Sequence, residues 1–240
     1  MRTTESLRDR LQDLRNTVDF ALRRTFSFAL TVQAPLPADI HFQNEMRNFF
    51  SLYDWKTHLN DKPKDGQFKV LDVGARNFSL APVFHSLFTK ERFRPEVHGI
   101  EIDAYRRMRN FRTRYDYAKY FTSIVPDSCF HACDFLEWSG TADCVFALNP
   151  FVTTSPLLAW GLPLKNFRPE AFFEKAASVL PPALGLLFVT NPSEEEVEIT
   201  RQHLKKDFAL LEQHTWSSSR GGHKRFGGLY LRGSNSIDDK

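Results

Sequence analysis

The sequence predicts an α/β fold in which a mostly parallel, seven-stranded sheet carries helices on both faces and ends in an antiparallel hairpin. A largely apolar run at 69–73 ends at Gly74, as a buried parallel strand does where it opens into a ligand loop. A second apolar run at 97–102 follows after the length of one helix and also ends in acids. The last two apolar runs, 208–216 and 227–231, are joined by a polar loop without a helix, so these strands must pair antiparallel.

Length and composition set the outer limits of the prediction. A chain of 240 residues, of which 42% are apolar, can form one large domain with a modest extension. We predict an N-terminal helical extension over 1–65 and a main domain over 66–240. The net charge of +3 does not by itself indicate nucleic acid, which usually requires a clustered basic face.

Two helices are predicted in the extension. Over 4–24, apolar residues recur at helical spacing, which predicts an amphipathic helix packed across the main domain, with a homodimer contact as the alternative. This leucine stripe consists of Leu7, Leu11, Leu14, Val18 and Leu22. A second helix is predicted over 44–59, with Met46, Phe49, Phe50 and Tyr53 on one face.

The main domain is predicted to alternate strands and helices up to its C-terminal hairpin. Helices are expected at 78–89, 104–121, 167–180 and 193–206, and further strands at 129–134, 142–148 and 184–190. Pro181 and Pro182 stop the third of these helices. Ser193, followed by acids in the first turn, is a typical helix start.

The predicted helix at 104–121 is strongly basic. Its cations are Arg106, Arg107, Arg109, Arg112, Arg114 and Lys119. Such a helix, with aromatic residues between its charges, could contact a nucleic-acid backbone through Arg106–Arg114. The alternative is a solvated outer helix, because the residue spacing spreads the charges around the helix rather than focusing them.

The cysteines indicate a reducing compartment, because an odd number of three does not form a disulfide framework. Cys129, His131 and Cys133 alternate along one predicted strand, where the outer two would lie too far apart for one tetrahedral zinc ion, so we predict no metal site. The N-terminus lacks a signal-peptide pattern, and no apolar run approaches the length of about 20 residues that crosses a bilayer. We therefore expect a cytoplasmic protein without a membrane segment.

Four segments together resemble the class I S-adenosylmethionine-dependent methyltransferases, a family with a Rossmann-like fold. Residues 71–75 resemble the first motif of that family, and Glu101 falls at its ribose-binding acid. Residues 132–135 resemble the end of the third strand in that family, and residues 143–150 resemble its fourth strand. The resemblance covers about residues 66–233 and does not identify a subfamily.

The first loop departs from the family pattern. The family usually has two or three glycines there, whereas Gly74 is followed in this chain by Ala75, Arg76 and Asn77. The loop must therefore be wider or differently shaped. The resemblance also implies that an extension such as 1–65 forms a wall or lid of the substrate site.

The resemblance implies S-adenosylmethionine as the cofactor and gives roles to residues at the strand ends. Asp72 helps to hold the methionine end, Glu101 accepts from the ribose hydroxyls and Asp134 accepts from the adenine amino group. Ile102 and Phe135 would lie on either side of the adenine. The complete set of cofactor-binding candidates is Asp72, Gly74, Ala75, Glu101, Ile102, Asp134, Phe135 and Asn149.

The fourth strand end resembles the site of methyltransferases that act on an amino group in a base. In those enzymes a side-chain amide and a backbone carbonyl accept from the amine, and an aromatic ring stacks on the base. Asn149 is therefore the candidate catalytic residue, and Pro150, Phe151 and Trp160 are substrate-binding candidates. The apolar character of 152–166 favours a hydrophobic or aromatic acceptor.

These observations predict a methyltransferase (class 2.1.1) that holds a small-molecule acceptor in line with the sulfonium methyl group. One alternative is a nucleic-acid methyltransferase that uses Asn149, Pro150 and Phe151 on a base amine. Another is a catalytically silent relative that serves as a binding or scaffold protein. A nucleotide-dependent oxidoreductase is disfavoured, because such an enzyme normally continues with another β/α unit where this chain has a hairpin.

Overall fold

The computed structural model describes residues 6–25, 29–60, 62, 66–217 and 224–233. The helices are α1 Leu7–Thr25, α2 Pro37–Phe50, α3 Trp55–His58, α4 Ala81–Lys90, α5 Arg114–Ile124, α6 Thr154–Trp160, α7 Pro169–Val179 and α8 Glu194–Leu204. The strands are β1 Gln67–Val73, β2 Arg94–Ile100, β3 Ser128–His131, β4 Cys144–Leu148, β5 Leu186–Asn191, β6 Phe208–Ser217 and β7 Lys224–Arg232. Within these ranges, no helix is both long enough and apolar enough to cross a membrane.

The predicted sheet is confirmed. Its seven strands follow the order β3-β2-β1-β4-β5-β7-β6, in which β7 runs antiparallel to both of its neighbours and the other pairs are parallel. The chain moves outward in one direction from β1 to β3 and in the other direction from β4, so the strand order reverses between β1 and β4. In such sheets, ligands bind at the carboxyl ends of the strands beside this reversal.

Two apolar layers cover the two faces of the sheet. Neighbouring residues of β1 serve opposite layers, because side chains alternate along a strand: Val70 packs with α2, α4 and α5, whereas Leu71 packs with α7. All six residues of β5 are buried, which explains why this central strand is an almost continuous apolar run. Helices therefore lie on both faces, as predicted.

Helix α2 is joined to the sheet by aromatic contacts. Phe49 stacks on Trp216 with ring centroids 4.1 Å apart, and Phe50 meets Phe188 edge-on at 5.2 Å. Gly227 of β7 permits this approach, since a Cβ there would lie 2.4 Å from the Phe49 ring. The single helix predicted over 44–59 is instead two helices, because the chain turns after Phe50 and Asp54 caps α3 by accepting from the Thr57 N–H.

Helix α1 packs through the face opposite to the predicted one. Its leucine stripe is exposed, with Leu14 63% accessible, whereas Asn16 and Phe20 are buried. Asn16 Nδ2 donates to the carbonyl oxygens of Leu158 and Leu162 at 3.0 and 2.9 Å. The prediction that the stripe packs across the main domain was therefore wrong: a buried amide satisfied by backbone carbonyls determines the orientation of the helix.

The prediction of a basic helix over 104–121 was also wrong for the first half of that range. Residues 104–113 form turns, Phe111 has a positive φ of 65°, and α5 begins only after Thr113. Thr113 and Asp116 form a reciprocal capping box, which provides a stronger helix start than the preceding residues. Arg114 is buried and Arg106 points inward, so the predicted Arg106–Arg114 helix for nucleic acid does not exist.

The orientation of α1 can be tested by comparing two truncations. Phe20→Ala should lower the free energy of unfolding by about 3 kcal/mol, because it empties a buried site. Leu14→Ala, on the exposed stripe, should change it by less than about 0.5 kcal/mol. Urea denaturation measures both. Equal losses for the two variants would contradict the observed packing.

Candidate functional site

A cavity of about 570 Å³ opens at the carboxyl ends of the parallel strands. Its volume lies within the range of about 300–1,000 Å³ that is usual for small-molecule sites. The structure brings every sequence-predicted site residue into its lining: Asp72, Gly74, Ala75, Glu101, Ile102, Asp134, Phe135, Asn149, Pro150, Phe151 and Trp160. Their individual roles stay predictions.

The bend after β1 is fixed against the end of β2. The N–H groups of Gly74 and Ala75 both donate to the Ile100 carbonyl, at 2.9 and 3.0 Å. Gly74 has a φ of 74°, and a Cβ placed on it would meet no atom within 4 Å, so the space beside it is open. Arg76 and Phe78 also adopt positive φ values, of 53° and 61°. Without further glycines, the loop turns by holding two larger residues in the left-handed region.

Glu101 lies beside this bend. It is buried, and its two carboxylate oxygens accept from the N–H groups of Arg76 and Asp103, each at 2.8 Å. A guanidinium nitrogen of Arg114 lies 3.5 Å from one of them. Burial raises the pKa of Glu101, whereas Arg114 and the two N–H donors favour its charged form. Each oxygen keeps a lone pair that can accept one further hydrogen bond.

Asp72 is a second buried carboxyl group in the same crevice. Burial, followed by the nearby charge of Glu101, raises its pKa from the ordinary value of 3.8 to about 8. At neutral pH Asp72 therefore carries a proton. A cation placed next to it would favour release of that proton, because an opposite charge stabilises the carboxylate.

Asp103 is turned away from the cavity and neutralised by arginines. Arg23 of α1 donates to both of its carboxylate oxygens at 3.1 Å, and Arg106 Nε donates to one at 2.5 Å. Arg114 lies 3.6 Å away. The two acids at the end of β2 thus have different tasks: Asp103 anchors α1 and the 104–113 turns, and Glu101 faces the cavity.

Trp160 forms the wall beside this ion network. The guanidinium carbons of Arg76, Arg106 and Arg114 lie 5.7, 5.5 and 4.8 Å from its ring. Arg106 also donates to the Trp160 carbonyl oxygen. Contacts of this kind hold an aromatic ring by attraction between the cation and its π-electrons. The predicted substrate-binding residue Trp160 is therefore held in place by the same arginines that surround the acids.

The ends of β3 and β4 are held by specific hydrogen bonds. Asp134 accepts from the Leu136 N–H at 3.0 Å and forms an ion pair with Arg168. Asn149 has a φ of 55°, and its N–H donates to the Thr190 carbonyl. The Thr190 hydroxyl accepts from the same N–H at 3.0 Å and donates to Asn149 Oδ1 at 3.2 Å. The Asn149 amide is therefore oriented, with one lone pair still available on its oxygen.

Several lining residues were missed by the sequence analysis. Helix α2 contributes Phe42, Glu45 and Met46 to the cavity wall. The Asn166 Nδ2 atom is buried in the lining and has no hydrogen-bond partner in the part of the chain that the structure describes. The apolar pattern of α2 was visible in the sequence. Asn166 ends the apolar segment 152–166 that was associated with the acceptor, but nothing in the sequence predicted that its amide is buried in the cavity lining.

No protein-family model matches the amino-acid sequence. A search of curated proteins gave no match either.

Solved structures align with most of the chain. The N-methyltransferase NodS from Bradyrhizobium japonicum WM9, in complex with S-adenosylhomocysteine, gives a TM-score of 0.52 at 12% identity, over 80% of this chain and 87% of NodS. The magnesium protoporphyrin IX methyltransferase ChlM from Synechocystis PCC 6803, with bound S-adenosylhomocysteine, gives 0.53 at 15% identity, over 92% and 97%. A Listeria monocytogenes protein assigned provisionally to the class I S-adenosylmethionine-dependent methyltransferases gives 0.55 at 13% identity, over 97% and 70%.

The chain therefore has the class I S-adenosylmethionine-dependent methyltransferase fold, as the sequence predicted. At identities of 12–15%, this likeness establishes the fold.

Asp72→Asn should be more stable than the wild type by an amount that grows with pH. Between its ordinary pKa of 3.8 and its folded-state pKa of about 8, Asp72 keeps a proton in the folded state that the unfolded state has lost. The stability contributed by the neutral carboxyl is fully present below the lower value, falls steadily between the two values and is lost completely above about 8. Urea denaturation should show the difference growing by about 1.4 kcal/mol per pH unit at most. A constant difference would contradict the burial of Asp72.

Proposed function

We propose that the protein is an S-adenosylmethionine-dependent methyltransferase that acts on a small-molecule acceptor. The observation that carries this proposal is the position of Glu101. Its buried carboxylate lies beside the Gly74 bend and accepts a hydrogen bond from the Arg76 N–H at 2.8 Å. The same carboxylate lines the cavity of about 570 Å³ at the strand ends. An acid beside a glycine bend at this point of a parallel sheet suits a nucleoside.

The residues present fit the proposed cofactor. The open space beside Gly74 allows a ligand to approach the backbone, and each Glu101 oxygen keeps a lone pair for one ribose hydroxyl. Ile102 and Phe135 line the cavity where an adenine ring would be held between apolar surfaces. The buried Asp72 provides a carboxyl group that can become an anion opposite a positively charged methionine end.

When bound, S-adenosylmethionine supplies an electrophilic methyl group on a sulfonium. The protein then has to position the acceptor and exclude water. Aromatic side chains in the cavity wall suit both purposes: Phe42, Phe151, Trp160, Phe172 and Trp216. This lining supports a flat, apolar or aromatic acceptor, held by shape rather than by charge.

A base amine is the second candidate acceptor. It is supported by the fixed orientation of Asn149, whose Oδ1 is held by Thr190 at 3.2 Å and keeps a lone pair for a donor N–H. Labelled S-adenosylmethionine, incubated with single-stranded DNA, RNA and a panel of small aromatic amines, distinguishes the two candidates. Label in nucleic acid would favour the second candidate, and label only in small amines the first.

Titration calorimetry with S-adenosylhomocysteine tests the cofactor site. The wild type should bind in the micromolar range, and Glu101→Ala should weaken binding at least about tenfold, or about 1.4 kcal/mol, because the acceptor of the ribose hydroxyls is lost. Glu198→Gln is the matched control, since Glu198 is exposed on α8 and lies outside the cavity lining.

The outcome also separates the active enzyme from a silent relative. Failure of the folded wild type to bind either S-adenosylhomocysteine or S-adenosylmethionine would overturn the proposal and favour a scaffold protein. Circular dichroism of each variant shows whether a loss of binding reflects a loss of fold.

Cofactor binding should release protons near pH 7. The positive charges of S-adenosylmethionine favour the ionised form of Asp72, whose pKa is about 8 in the free protein. Calorimetry in buffers of different ionisation enthalpy measures this release. Wild type should release up to about one proton and Asp72→Asn markedly less. Equal release by the two proteins would place the cationic end of the ligand away from Asp72.

A further inference from the structure

A second group of reactive side chains lies at the edge of the sheet, apart from the cavity lining. Strand β3 is the edge strand beside β2, and the parallel register places Cys129 opposite His98. His131 lies two residues after Cys129 and therefore points to the same face of the sheet. One donor atom from each of these three residues lies within 4.8 Å of the other two.

The hydrogen bonds around His98 determine which of its nitrogens is free. Glu96 Oε1 lies 2.7 Å from His98 Nε2. Because a carboxylate only accepts, this nitrogen carries the proton and His98 Nδ1 keeps its lone pair. His98 Nδ1 in turn lies 3.0 Å from His131 Nε2, and the two rings are nearly parallel, at 6°. In the metal-free arrangement, one proton on His131 Nε2 bridges the imidazoles.

We propose that this cluster binds a zinc-type divalent cation through His98 Nδ1, His131 Nε2 and the Cys129 sulfur. The cation replaces the bridging proton, which moves through solvent to His131 Nδ1 so that the ring stays neutral, and the thiol proton is released to solvent. Two nitrogens at about 2.0–2.1 Å from a tetrahedral zinc ion are about 3.3 Å apart, so the observed 3.0 Å needs only a small opening. Cys129 is exposed, which leaves room for water at the fourth position.

Two features beyond the three ligands support the site. Glu96 bonded to the far nitrogen of His98 is the carboxylate–histidine arrangement that orients metal-binding imidazoles. One thiolate and two imidazoles form a donor set suited to zinc rather than to magnesium or calcium. The sequence analysis considered Cys129, His131 and Cys133 along a single strand and missed this set, because His98 comes from the neighbouring strand.

An ion at this position would join β3 to β2 next to the cavity. The His131 carbonyl accepts the Glu101 N–H at 3.0 Å, and Asp134 follows three residues after His131. The cation would therefore stabilise the strand ends that present both acids. The proposed binding itself does not depend on the proposed methyl transfer.

Cobalt(II) titration of the reduced, chelator-treated full chain tests this site. Bound cobalt should give the intense visible bands of a tetrahedral centre and a sulfur-to-metal charge-transfer band, and added zinc should remove both. Cys129→Ser should abolish the charge-transfer band, and His98→Ala should weaken binding strongly. Glu96→Gln should weaken it about 10–100-fold. Cys133→Ser is the matched thiol control and should behave like the wild type.

Two results would overturn the proposal. One is the absence of tetrahedral cobalt bands in the folded wild type, which would leave only the hydrogen-bonded histidine pair. The other is a charge-transfer band that survives in Cys129→Ser or disappears in Cys133→Ser. Thermal denaturation with and without zinc provides an independent measurement, in which the wild type should gain in melting temperature and His98→Ala should not.

Discussion

The structure depends on the burial of two carboxyl groups, Asp72 and Glu101, at the ends of adjacent central strands. Removing a charge from water is costly unless hydrogen bonds or an opposite charge compensate for it. The cost of burial is offset differently for the two groups. Glu101 is surrounded by N–H donors and Arg114, which stabilise its charge, whereas Asp72 keeps its proton. Arg114, which lies beside Glu101, also approaches Asp103 and the Trp160 ring, and Arg23 and Arg106 pair with Asp103. This group of charges therefore links the N-terminal helix, the turns after β2 and the wall of the cavity.

The sheet and the residues at its strand ends could be predicted because they follow from local patterns. Apolar runs of strand length identify the strands, and the absence of a helix before the last strand identifies the hairpin. Once the strands are known, the acids that end them must meet at one edge of the sheet, which is why Asp72, Glu101 and Asp134 could be expected to line one cavity. The ion-pair partners of these strand-end acids could not be found in this way. Arg168, the partner of Asp134, and Arg23, which donates to the neighbouring Asp103, come from distant parts of the sequence.

The errors have a common origin in interactions that outweigh periodicity. The apolar spacing of α1 predicted which residues share a face, but a buried amide at Asn16 decided which face meets the protein. The charges over 104–113 suggested a solvated helix, yet the cap at Thr113 and the acids at the end of β2 required a different backbone. The left-handed backbone conformations of Arg76 and Asn149 likewise follow from the surrounding structure and not from residue type. Asparagine tolerates this conformation better than arginine does, but neither residue predicts it.

The aromatic contacts between α2 and the sheet have a consequence for selectivity. Phe49 and Phe50 fix this helix to β5, β6 and β7, and the same helix supplies Phe42 and Met46 to the cavity. Because α2 is attached to a close-packed interior, the cavity wall that it forms has little freedom to change shape for different ligands. On that side, the cavity would therefore select among acceptors by steric exclusion against a rigid surface. Any movement that admits the acceptor or releases the product would have to occur in the opposite wall of the cavity.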